Sequence, residues 1–422
     1  MSQPMEAEVT LEGVLEPHNM RRAWKAVKAN AGAAGVDGRD IAHTRTHLKV
    51  HWESIAGKLR TGEYRPGAIR EVAIPKASGG TRTLGIPNVQ DRLIQQALLQ
   101  VLSPVFEPGM SEHSYGYRPG RSAHTAMDAA RGYVAAGKRW VVDLDLKNFF
   151  DQINHDKLMS AVSRQVSDKR LLRLLGDFLR APMQGGDGRR RARTRGTPQG
   201  SPLSPLLANI YLHPLDCELS RRGVSFVRYA DDIAIFAGSA RSAQRILTSV
   251  VKWIEAELKV EVNRDKSGTG PSQETQLLGF RIHRDGEVSI GPPALKRLKA
   301  KVRAIWERRR HRTEDELKAC WRSYIEGWWN YFRYANWRAA VHRLSGWIRR
   351  HMRKYFWQRW HNPKGRANAL RRLGVRGRRV GVAWCRHGAW PMARHVVVQQ
   401  ALKNARLDSA GFGLPWALAS RP

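Results

Sequence analysis

Two adjacent carboxylates, Asp231 and Asp232, occupy the junction between two short apolar runs. The flanking runs, 224–228 and 233–237, are rich in Val, Ile and Phe and predict two strands of a hairpin, with the acidic pair at its turn. Like charges side by side repel each other, and a purely structural turn gains nothing from the second carboxylate. A divalent cation would remove that repulsion, so the pair predicts one half of a metal site.

A third apolar run, residues 140–146, predicts the strand that supplies the other half. Asp143 and Asp145 lie on one face of this strand by period-2 alternation, which leaves the choice between them open. Three carboxylates with open positions suit Mg²⁺, and two such ions about 4 Å apart stabilise the attacking and leaving oxygens of phosphoryl transfer. The alternative, a solvated turn residue, is the better interpretation of any single aspartate but a poor one of the combination.

The overall charge favours a polyanionic partner. The 422 residues include 73 Lys and Arg against 37 Asp and Glu, a net charge of +36, which predicts salt-sensitive association with nucleic acid. An anionic membrane surface is the competing partner, but the sequence has no apolar run long enough to predict a span. The N-terminus does not resemble a signal peptide. Three scattered cysteines form neither a disulfide framework nor a zinc motif, so we expect a cytoplasmic, nucleoid-associated protein.

Positive charge and tryptophan are concentrated in residues 296–380. This segment has 26 Lys and Arg against 5 Asp and Glu, and its helical periodicity predicts a helical domain with one aromatic and one basic face. Most of its tryptophans are expected in the core, whereas the excess of arginine favours contact with nucleic acid. The eight tryptophans are Trp306, Trp321, Trp328, Trp329, Trp337, Trp347, Trp357 and Trp360.

The remaining patterns predict a mixed α/β first part and an all-helical part after Gly291. A basic patch, 189–195, precedes a Gly/Pro-rich loop at 196–205. Helix entry after such a loop is a place where backbone N–H groups can meet phosphates or bases. Predicted helices cover 20–30, 92–105, 122–136 and 171–179 and one starts near 206, while predicted strands cover 69–74 and 81–86.

Six sequence blocks, in this order, resemble reverse transcriptases. They are 74–82, 145–151, 197–202, 229–232, 263–267 and 277–280. The flanks resemble bacterial group II intron reverse transcriptases in particular, with 30–38 similar to their N-terminal extension and 324–332 and 347–356 similar to their maturase-specific region. The resemblance extends from about Arg22 to the C-terminus.

The resemblance implies an α+β, right-hand polymerase fold. Its fingers and its palm, built on a ferredoxin-like antiparallel sheet, would be followed by an all-helical thumb/maturase domain and a small basic C-terminal domain. The expected divisions are 1–135 for the N-terminal extension and fingers, 136–290 for the palm, 291–370 for the thumb/maturase domain, and 371–422 for a DNA-binding domain.

The same resemblance implies roles for individual residues. Asp145, preferred over Asp143 by the family pattern, would hold two Mg²⁺ ions together with Asp231, Asp232 and the Leu146 carbonyl. Lys266 would protonate the pyrophosphate leaving group, with an exposed ion-pair lysine as the alternative. The expected nucleotide-binding residues are Lys76 and Arg82 on the triphosphate, Phe150 as the steric gate against ribose, and Asn148, Phe149 and Gln199 around them. Leu278, Gly279 and Phe280 would form the primer grip.

The implied activity is RNA-directed DNA synthesis on intron RNA, combined with binding of that RNA to assist splicing and mobility. Expected partners are the intron RNA template, the RNA–DNA duplex, target DNA and deoxynucleoside triphosphates, with no membrane. Only Cys385 lies near the C-terminus, so the zinc-dependent endonuclease domain of many relatives is expected to be missing. The alternatives are a host-domesticated or CRISPR-linked reverse transcriptase, and a splicing-only RNA-binding maturase.

Overall fold

The computed structural model describes residues 9–75, 80–307, 313–336 and 341–418. The chain forms two compact units, residues 1–275 and 276–422. The predicted change to an all-helical part is confirmed, because every described element after Ile290 is a helix. The finer division into four functional domains stays a prediction.

The first unit begins with three helices that pack against a fourth, the long helix of residues 89–106. Thr10 and Asp40 cap the first and third helices by accepting hydrogen bonds from backbone N–H groups of the first turn. The predicted strands at 69–74 and 81–86 are both present, and most of the turn between them lies outside the described residues. The elements are α1 (Leu11–Leu15), α2 (Pro17–Ala29), α3 (Ile41–Thr61), β1 (Ile69–Pro75), β2 (Thr81–Ile86) and α4 (Val89–Phe106).

The remainder of the first unit contains the predicted hairpin and its neighbouring strand. Ser122 caps its helix in a capping box with Thr125, as the sequence predicted. The elements are α5 (Ala123–Ala135), β3 (Trp140–Asp145), α6 (Phe149–Gln152), α7 (His155–Ser163), α8 (Lys169–Arg180), β4 (Met183–Gln184), β5 (Arg190–Arg191), α9 (Ser204–Arg221), β6 (Ser225–Tyr229), β7 (Asp232–Ala237), α10 (Ala240–Trp253) and β8 (Gly268–Pro271).

Two four-stranded sheets organise the described part of this unit. One has the order β2-β1-β4-β5, and the other, fully antiparallel, has the order β6-β7-β3-β8. The second sheet buries Val142, Leu144, Phe226 and Ile235 completely. Helices α5 and α10 pack against it. This layered arrangement confirms the predicted α+β fold with an antiparallel palm sheet.

The second unit opens with a short hairpin and continues as helices. Its elements are β9 (Phe280–Ile282), β10 (Val288–Ile290), α11 (Pro292–Ile305), α12 (Glu314–Phe332), α13 (Val341–Arg359), α14 (Pro363–Arg372), α15 (Ala389–Met392), α16 (Val396–Ala401), α17 (Asn404–Leu407) and α18 (Pro415–Leu418). Trp306, Trp321 and Trp357 are fully buried, which confirms the core prediction for these three, while Trp337 lies outside the described residues.

Helix α11 has the predicted basic face, but its buried face is aliphatic where an aromatic face was predicted. It buries Ala294, Leu298, Val302 and Ile305 and exposes Lys296, Arg297, Lys299, Lys301 and Arg303. Some arginines of the segment serve the fold instead. Arg349 donates to the Phe412 carbonyl at 3.0 Å, and Arg353 donates to the Leu402 carbonyl at 3.1 Å. Among the described helices, none combines the length and apolar composition that crossing a membrane requires.

Candidate active site

The hairpin brings its acidic turn next to strand β3. Tyr229 pairs with Asp232 across the turn, and Asp232 lies directly opposite Asp145 on the neighbouring strand. Ala230, the first residue of the turn, adopts the left-handed conformation with φ 58°, and Asp231 follows it. The pairing register therefore gathers Asp145, Asp231 and Asp232 at one end of the sheet.

Gly116 lies directly against the back of this turn. A Cβ atom added to Gly116 would lie 2.4 Å from the Ala230 nitrogen and 3.0 Å from the Tyr229 carbonyl carbon. Because no real side chain fits such a gap, a glycine is required at this position. Asn209 on α9 fixes the approach, since its Nδ2 donates to the Gly116 carbonyl at 2.9 Å.

A fully buried ion pair between Arg228 and Asp216 is hydrogen-bonded to the acidic turn. The Nε and Nη2 atoms of Arg228 donate to the two carboxylate oxygens of Asp216 at 2.7 and 2.5 Å, and both side chains are 0% exposed. The Nη1 atom donates to Asn209 Oδ1 at 2.8 Å and to the Ala230 carbonyl at 3.2 Å. One guanidinium thus joins α9 to the acidic turn.

Sequence reasoning missed the roles of Arg228 and Asp216, although one signal was available. Arg228 stands inside an apolar run of a strand that also contains Phe226 and Val227. A charge buried in such a strand requires a paired acid, because desolvation of an unpaired guanidinium is very costly.

The segment after α10 contacts the carboxylate of Asp145. Its Oδ2 accepts a hydrogen bond from Asn263 Nδ2 at 2.9 Å and lies 3.6 Å from Lys266 Nζ. Since the Lys266 side chain is 59% exposed, the ammonium can reach both Asp145 and solvent. The geometry accommodates both predicted roles of Lys266, the ion pair and the proton donor.

The Leu146 carbonyl is directed toward the side of the strand where Asp232 lies. Lys147 N donates to the Glu261 carbonyl, and Asn263 N donates to the Asp145 carbonyl. These two bonds place Leu146 and Val262 in a non-hydrogen-bonded pair, so the Leu146 carbonyl is directed away from Val262. This backbone oxygen is therefore available as a fourth oxygen ligand.

The carboxylates at this end of the sheet oppose each other's ionisation. Burial, followed by the charges of Asp231, Asp143 and Asp145, raises the pKa of Asp232 to about 6. Burial first and Asp145 second raise the pKa of Asp143 to about 6, and burial also raises the pKa of Asp231. A set of hard oxygen donors that resist being charged together fits a divalent cation.

The side chains of Asp145, Asp231 and Asp232 do not surround one common point. Among the described residues, no group of three His, Cys, Asp or Glu side chains has the geometry to hold a metal ion. Asp145 is turned toward Asn263 and Lys266, so its carboxylate would have to rotate to share a cation with Asp232.

Mg²⁺ binding is expected to weaken at low pH. A proton on Asp232, with a pKa of about 6, competes with the cation, so the half-saturating Mg²⁺ concentration should rise about tenfold from pH 7 to pH 5. Because this folded-state pKa lies above the ordinary value of 3.8, the metal-free protein gains stability from this group as pH falls through 6 toward 4. Melting temperature measured against Mg²⁺ at each pH tests both statements.

The matched control for this titration is Asp232→Asn, which removes the competing proton. The pH-dependent part of the Mg²⁺ effect should be much reduced in this variant. A Mg²⁺-induced rise in melting temperature that is equal at pH 5 and pH 7 in the wild type would contradict the assignment.

The two adjacent phenylalanines that follow β3 differ in burial. Phe149 is 2% exposed, and its ring packs 6.2 Å from the Tyr211 ring and 5.5 Å from the Phe150 ring. The predicted nucleotide contact by the Phe149 ring is therefore not supported, because this ring belongs to the core. Phe150 is half-buried, and Asn148 is exposed at the start of α6 in the left-handed conformation with φ 45°.

The Gly/Pro loop before α9 lies against this block. Thr197 N donates to the Phe150 carbonyl at 2.7 Å, and a Cβ atom added to Gly196 would lie 2.9 Å from the Asp151 Cα. Gln199, two residues further on, is half-buried. The close backbone contact places the predicted nucleotide-binding residues Phe150 and Gln199 on adjacent segments.

Arg82 is exposed on β2, and Lys76 lies outside the described residues. Tyr117, which sequence reasoning missed, is 54% exposed and left-handed, with φ 60°. Partial burial, followed by the charge of Asp231, raises the pKa of Tyr117, while Arg82 lowers it. Tyr117 therefore lies within electrostatic reach of both the acidic turn and Arg82. An aromatic residue within the Gly/Pro-rich segment 115–120 was the available signal.

The predicted primer grip is a tight turn in the second unit. Leu278 and Gly279 both have positive φ, 51° and 85°, and Tyr331 Oη donates to the Leu278 carbonyl at 2.8 Å. A Cβ atom on Gly279 would lie 3.3 Å from the Phe332 ring. Phe280 is fully buried, so it anchors the turn and leaves the backbone of Leu278 and Gly279 as the accessible part.

Comparison with known proteins agrees with the polymerase class that the sequence blocks and the acidic site indicate. Residues 74–282 match the family model for reverse transcriptase (RNA-dependent DNA polymerase). Residues 295–374 match the model for the group II intron maturase-specific domain. The chain is thus a reverse transcriptase with a maturase segment.

Two relatives make the identification more specific. Group II intron-encoded protein LtrA of Lactococcus lactis subsp. cremoris is 30% identical over 354 residues, covering 67% of this chain and 58% of LtrA. Protein YkfC of Escherichia coli (strain K12) is 32% identical over 294 residues, covering 60% of this chain and 77% of YkfC. The chain belongs to the family of bacterial group II intron-encoded reverse transcriptases and maturases.

A solved structure, a partial Cas6-RT-Cas1–Cas2 complex, is also similar. It is 27% identical, with a TM-score of 0.38, and the match covers 60% of this chain and 43% of that one. So loose a superposition adds nothing to the family assignment.

Proposed function

We propose that this chain copies intron RNA into DNA by two-metal nucleotidyl transfer and binds the same RNA to assist splicing and mobility. The observation that carries the proposal is the pairing of Asp145 with Asp232 beside Asp231 at the end of the palm sheet. Deoxynucleoside triphosphates would be the substrates, and the RNA–DNA duplex and target DNA the further partners.

The mechanism follows from the donors at this end of the sheet. Asp145, Asp231, Asp232 and the Leu146 carbonyl would hold two Mg²⁺ ions, and bound ions would lower the pKa of the primer 3′-hydroxyl and neutralise charge on the phosphates. The primer 3′-hydroxyl would lose its proton to solvent as its oxygen bonds to the α-phosphorus, and the bond from that phosphorus to the pyrophosphate oxygen would break. Lys266, 3.6 Å from Asp145 and open to solvent, would give a proton to the departing pyrophosphate. Arg82 would hold the triphosphate.

Phe150→Ala is expected to admit ribonucleotides. The half-buried ring lies on the segment that contacts the loop of Gln199, where it would exclude a ribose 2′-hydroxyl. Removing it should lower the preference for deoxynucleotides about 10- to 100-fold, measured as the ratio of kcat/KM values for the two nucleotide types. Phe150→Tyr keeps the ring and should keep the preference. Unchanged selectivity in the alanine variant would remove the gate assignment.

The second unit supplies the features that suit an RNA-binding surface. The exposed cations of α11 lie within or next to residues 295–374, which match the maturase-specific model. Clustered Lys and Arg side chains neutralise backbone phosphates and make binding sensitive to salt. The remaining basic segment, 371–422, is proposed to contact target DNA.

The proposal is tested by RNA-templated primer extension. The purified chain should extend a labelled DNA primer on an RNA template with deoxynucleoside triphosphates and Mg²⁺, and chelation of Mg²⁺ should stop the reaction. Splicing of a group II intron RNA in the presence of the protein tests the maturase part separately. A chain that binds RNA and promotes splicing but extends no primer would refute the polymerase part.

A further inference from the structure

A cavity of about 480 Å³ lies beside the predicted nucleotide-binding residues and has no role in the mechanism above. We call it the arginine cavity. Its walls come mainly from the β1–β2 hairpin, from β5 and the basic segment after it, and from the loop before α9, with Asp151 of α6 and Met183 of β4 completing them. The residues that matter here are Glu71, Thr83, Arg191, Arg193, Arg195 and Gln199.

Arg193 is the unusual member of this cavity. Its Nε atom is buried, and no described residue accepts a hydrogen bond from it. Its Nη2 atom makes a weak contact at 3.8 Å with the sulfur of Met183. Burial lowers the pKa of Arg193 to about 10, with the charge of Asp151 acting in the opposite direction. A buried guanidinium donor without an acceptor is costly and calls for an explanation.

The neighbouring charges indicate an anionic ligand. Arg191 is already paired with Glu71 at the edge of the cavity, whereas Arg193 and Arg195 add two positive charges to a lining whose other carboxylate is Asp151. A guanidinium presents its donors in a planar fork that matches two phosphate oxygens. A backbone phosphate in the cavity would therefore supply oxygen acceptors to the guanidinium of Arg193.

The strand alternation of the β1–β2 hairpin indicates which phosphate this is. Thr83 lines the cavity, so Arg82, the next residue on β2, is directed to the opposite face. The charges of Arg82 and Asp231 both act on Tyr117. The incoming triphosphate, proposed to bind Arg82 near the carboxylates, would thus lie on the other face of the hairpin from the arginine cavity.

We propose that the arginine cavity binds a backbone phosphate of the single-stranded RNA template, next to the templating base. Gln199 connects the cavity to the templating base, because it lines the cavity and is the residue predicted to contact the nucleotide pair. The proposal rests on the proposed function as a template-copying polymerase. It goes further by assigning Arg193 to the path of the unpaired template.

Arg193→Gln tests this assignment by binding alone. Wild type and variant are titrated, without deoxynucleotides, with a primer on an RNA template that carries a 5′ overhang, and with a blunt-ended duplex of the same paired sequence. The variant should bind the overhanging template about tenfold more weakly. It should also lower the slope of log affinity against log salt by about 0.7 to 1. Binding of the blunt duplex should not change.

Two further variants control the interpretation. Arg189→Gln removes an arginine of the same segment that is 87% exposed, lies 3.8 Å from Asp187 and is not part of the cavity lining. It should leave the difference between the two substrates unchanged. Arg193→Lys keeps the charge without the fork, so it should restore the salt slope. Because Arg193→Gln removes a half-buried cation whose Nε atom has no acceptor among the described residues, its melting temperature should equal or exceed that of the wild type.

Each other outcome overturns the proposal in a distinct way. Equal losses on overhanging and blunt substrates would mean that Arg193 acts on the duplex or on the fold. A raised KM for deoxynucleotides with unchanged template affinity would assign the cavity to the incoming triphosphate. Unchanged binding and kinetics would mean that no phosphate is bound there. Because the titration needs no catalysis, failure of the wild type to extend a primer would count against the proposed function alone.

Discussion

Replacement of Asp231 by asparagine is expected to lower RNA-templated primer extension at least about a thousandfold. Asparagine keeps the size of the side chain but removes its charge from the turn between Ala230 and Asp232, where the metal would be held. Splicing of group II intron RNA should be largely retained, because the maturase-type residues 295–374 belong to the other compact unit. Extension of a labelled primer and splicing of the RNA are measured on the same preparation.

Asp143→Asn is the matched control for this experiment. Asp143 lies on the same face of β3 as Asp145, and burial raises its pKa to about 6, but it is paired with Ala234, whereas Asp145 is paired with Asp232. Its loss should therefore affect extension far less. If both variants lost activity equally, Asp143 would have to be counted as a ligand. If Asp231→Asn extended primers at the wild-type rate, the metal site would be assigned wrongly.

Asp216→Ala should have the largest effect on stability. It leaves the guanidinium of Arg228 fully buried without its carboxylate, a change that costs about 3–5 kcal/mol of unfolding free energy. Urea unfolding of the metal-free protein measures the loss. Glu218→Ala, on the same helix, removes ion pairs to the more exposed Arg221 and Arg222 and should change stability much less. Equal effects of the two substitutions would contradict the importance given to the buried pair.

A double substitution separates stability from positioning of the turn. Asp216→Leu combined with Arg228→Met replaces the ion pair by apolar groups, which should recover most of the stability lost in Asp216→Ala. Primer extension should nevertheless remain slow, because the Ala230 carbonyl loses the donor that joins it to Asn209 on α9. Full activity in a stable double variant would make the pair purely structural.

Local patterns in the sequence predicted much of the fold and the centre of the site. Alternation and turn chemistry act over a few residues, so the hairpin around Asp231, the strand that ends at Asp145, and the Ser122 cap followed directly from the sequence. The choice of Asp145 over Asp143 required the family pattern, because alternation places both on one face. The register, with Asp145 opposite Asp232, agrees with that choice.

Features that depend on tertiary packing were not predictable in this way. Alternation along a strand or helix does not identify which acid pairs with Arg228, because Asp216 lies on a helix that packs beneath the strand. The adjacent rings of Phe149 and Phe150 have the same chemistry, and only the surrounding core buries the first of them. The arginine cavity is also a product of packing, since its walls come from segments more than 100 residues apart.

The tight turn at Leu278 and Gly279 has a consequence for how RNA binding and DNA synthesis are linked. Helix α12 holds this turn directly, through the Tyr331 hydroxyl and the Phe332 ring, and α12 lies within the segment that matches the maturase model. A displacement of α12 by bound RNA would shift the backbone predicted to position the primer terminus. Correctly docked intron RNA could then favour synthesis on its own sequence, and by reciprocity a seated primer would tighten the hold on that RNA.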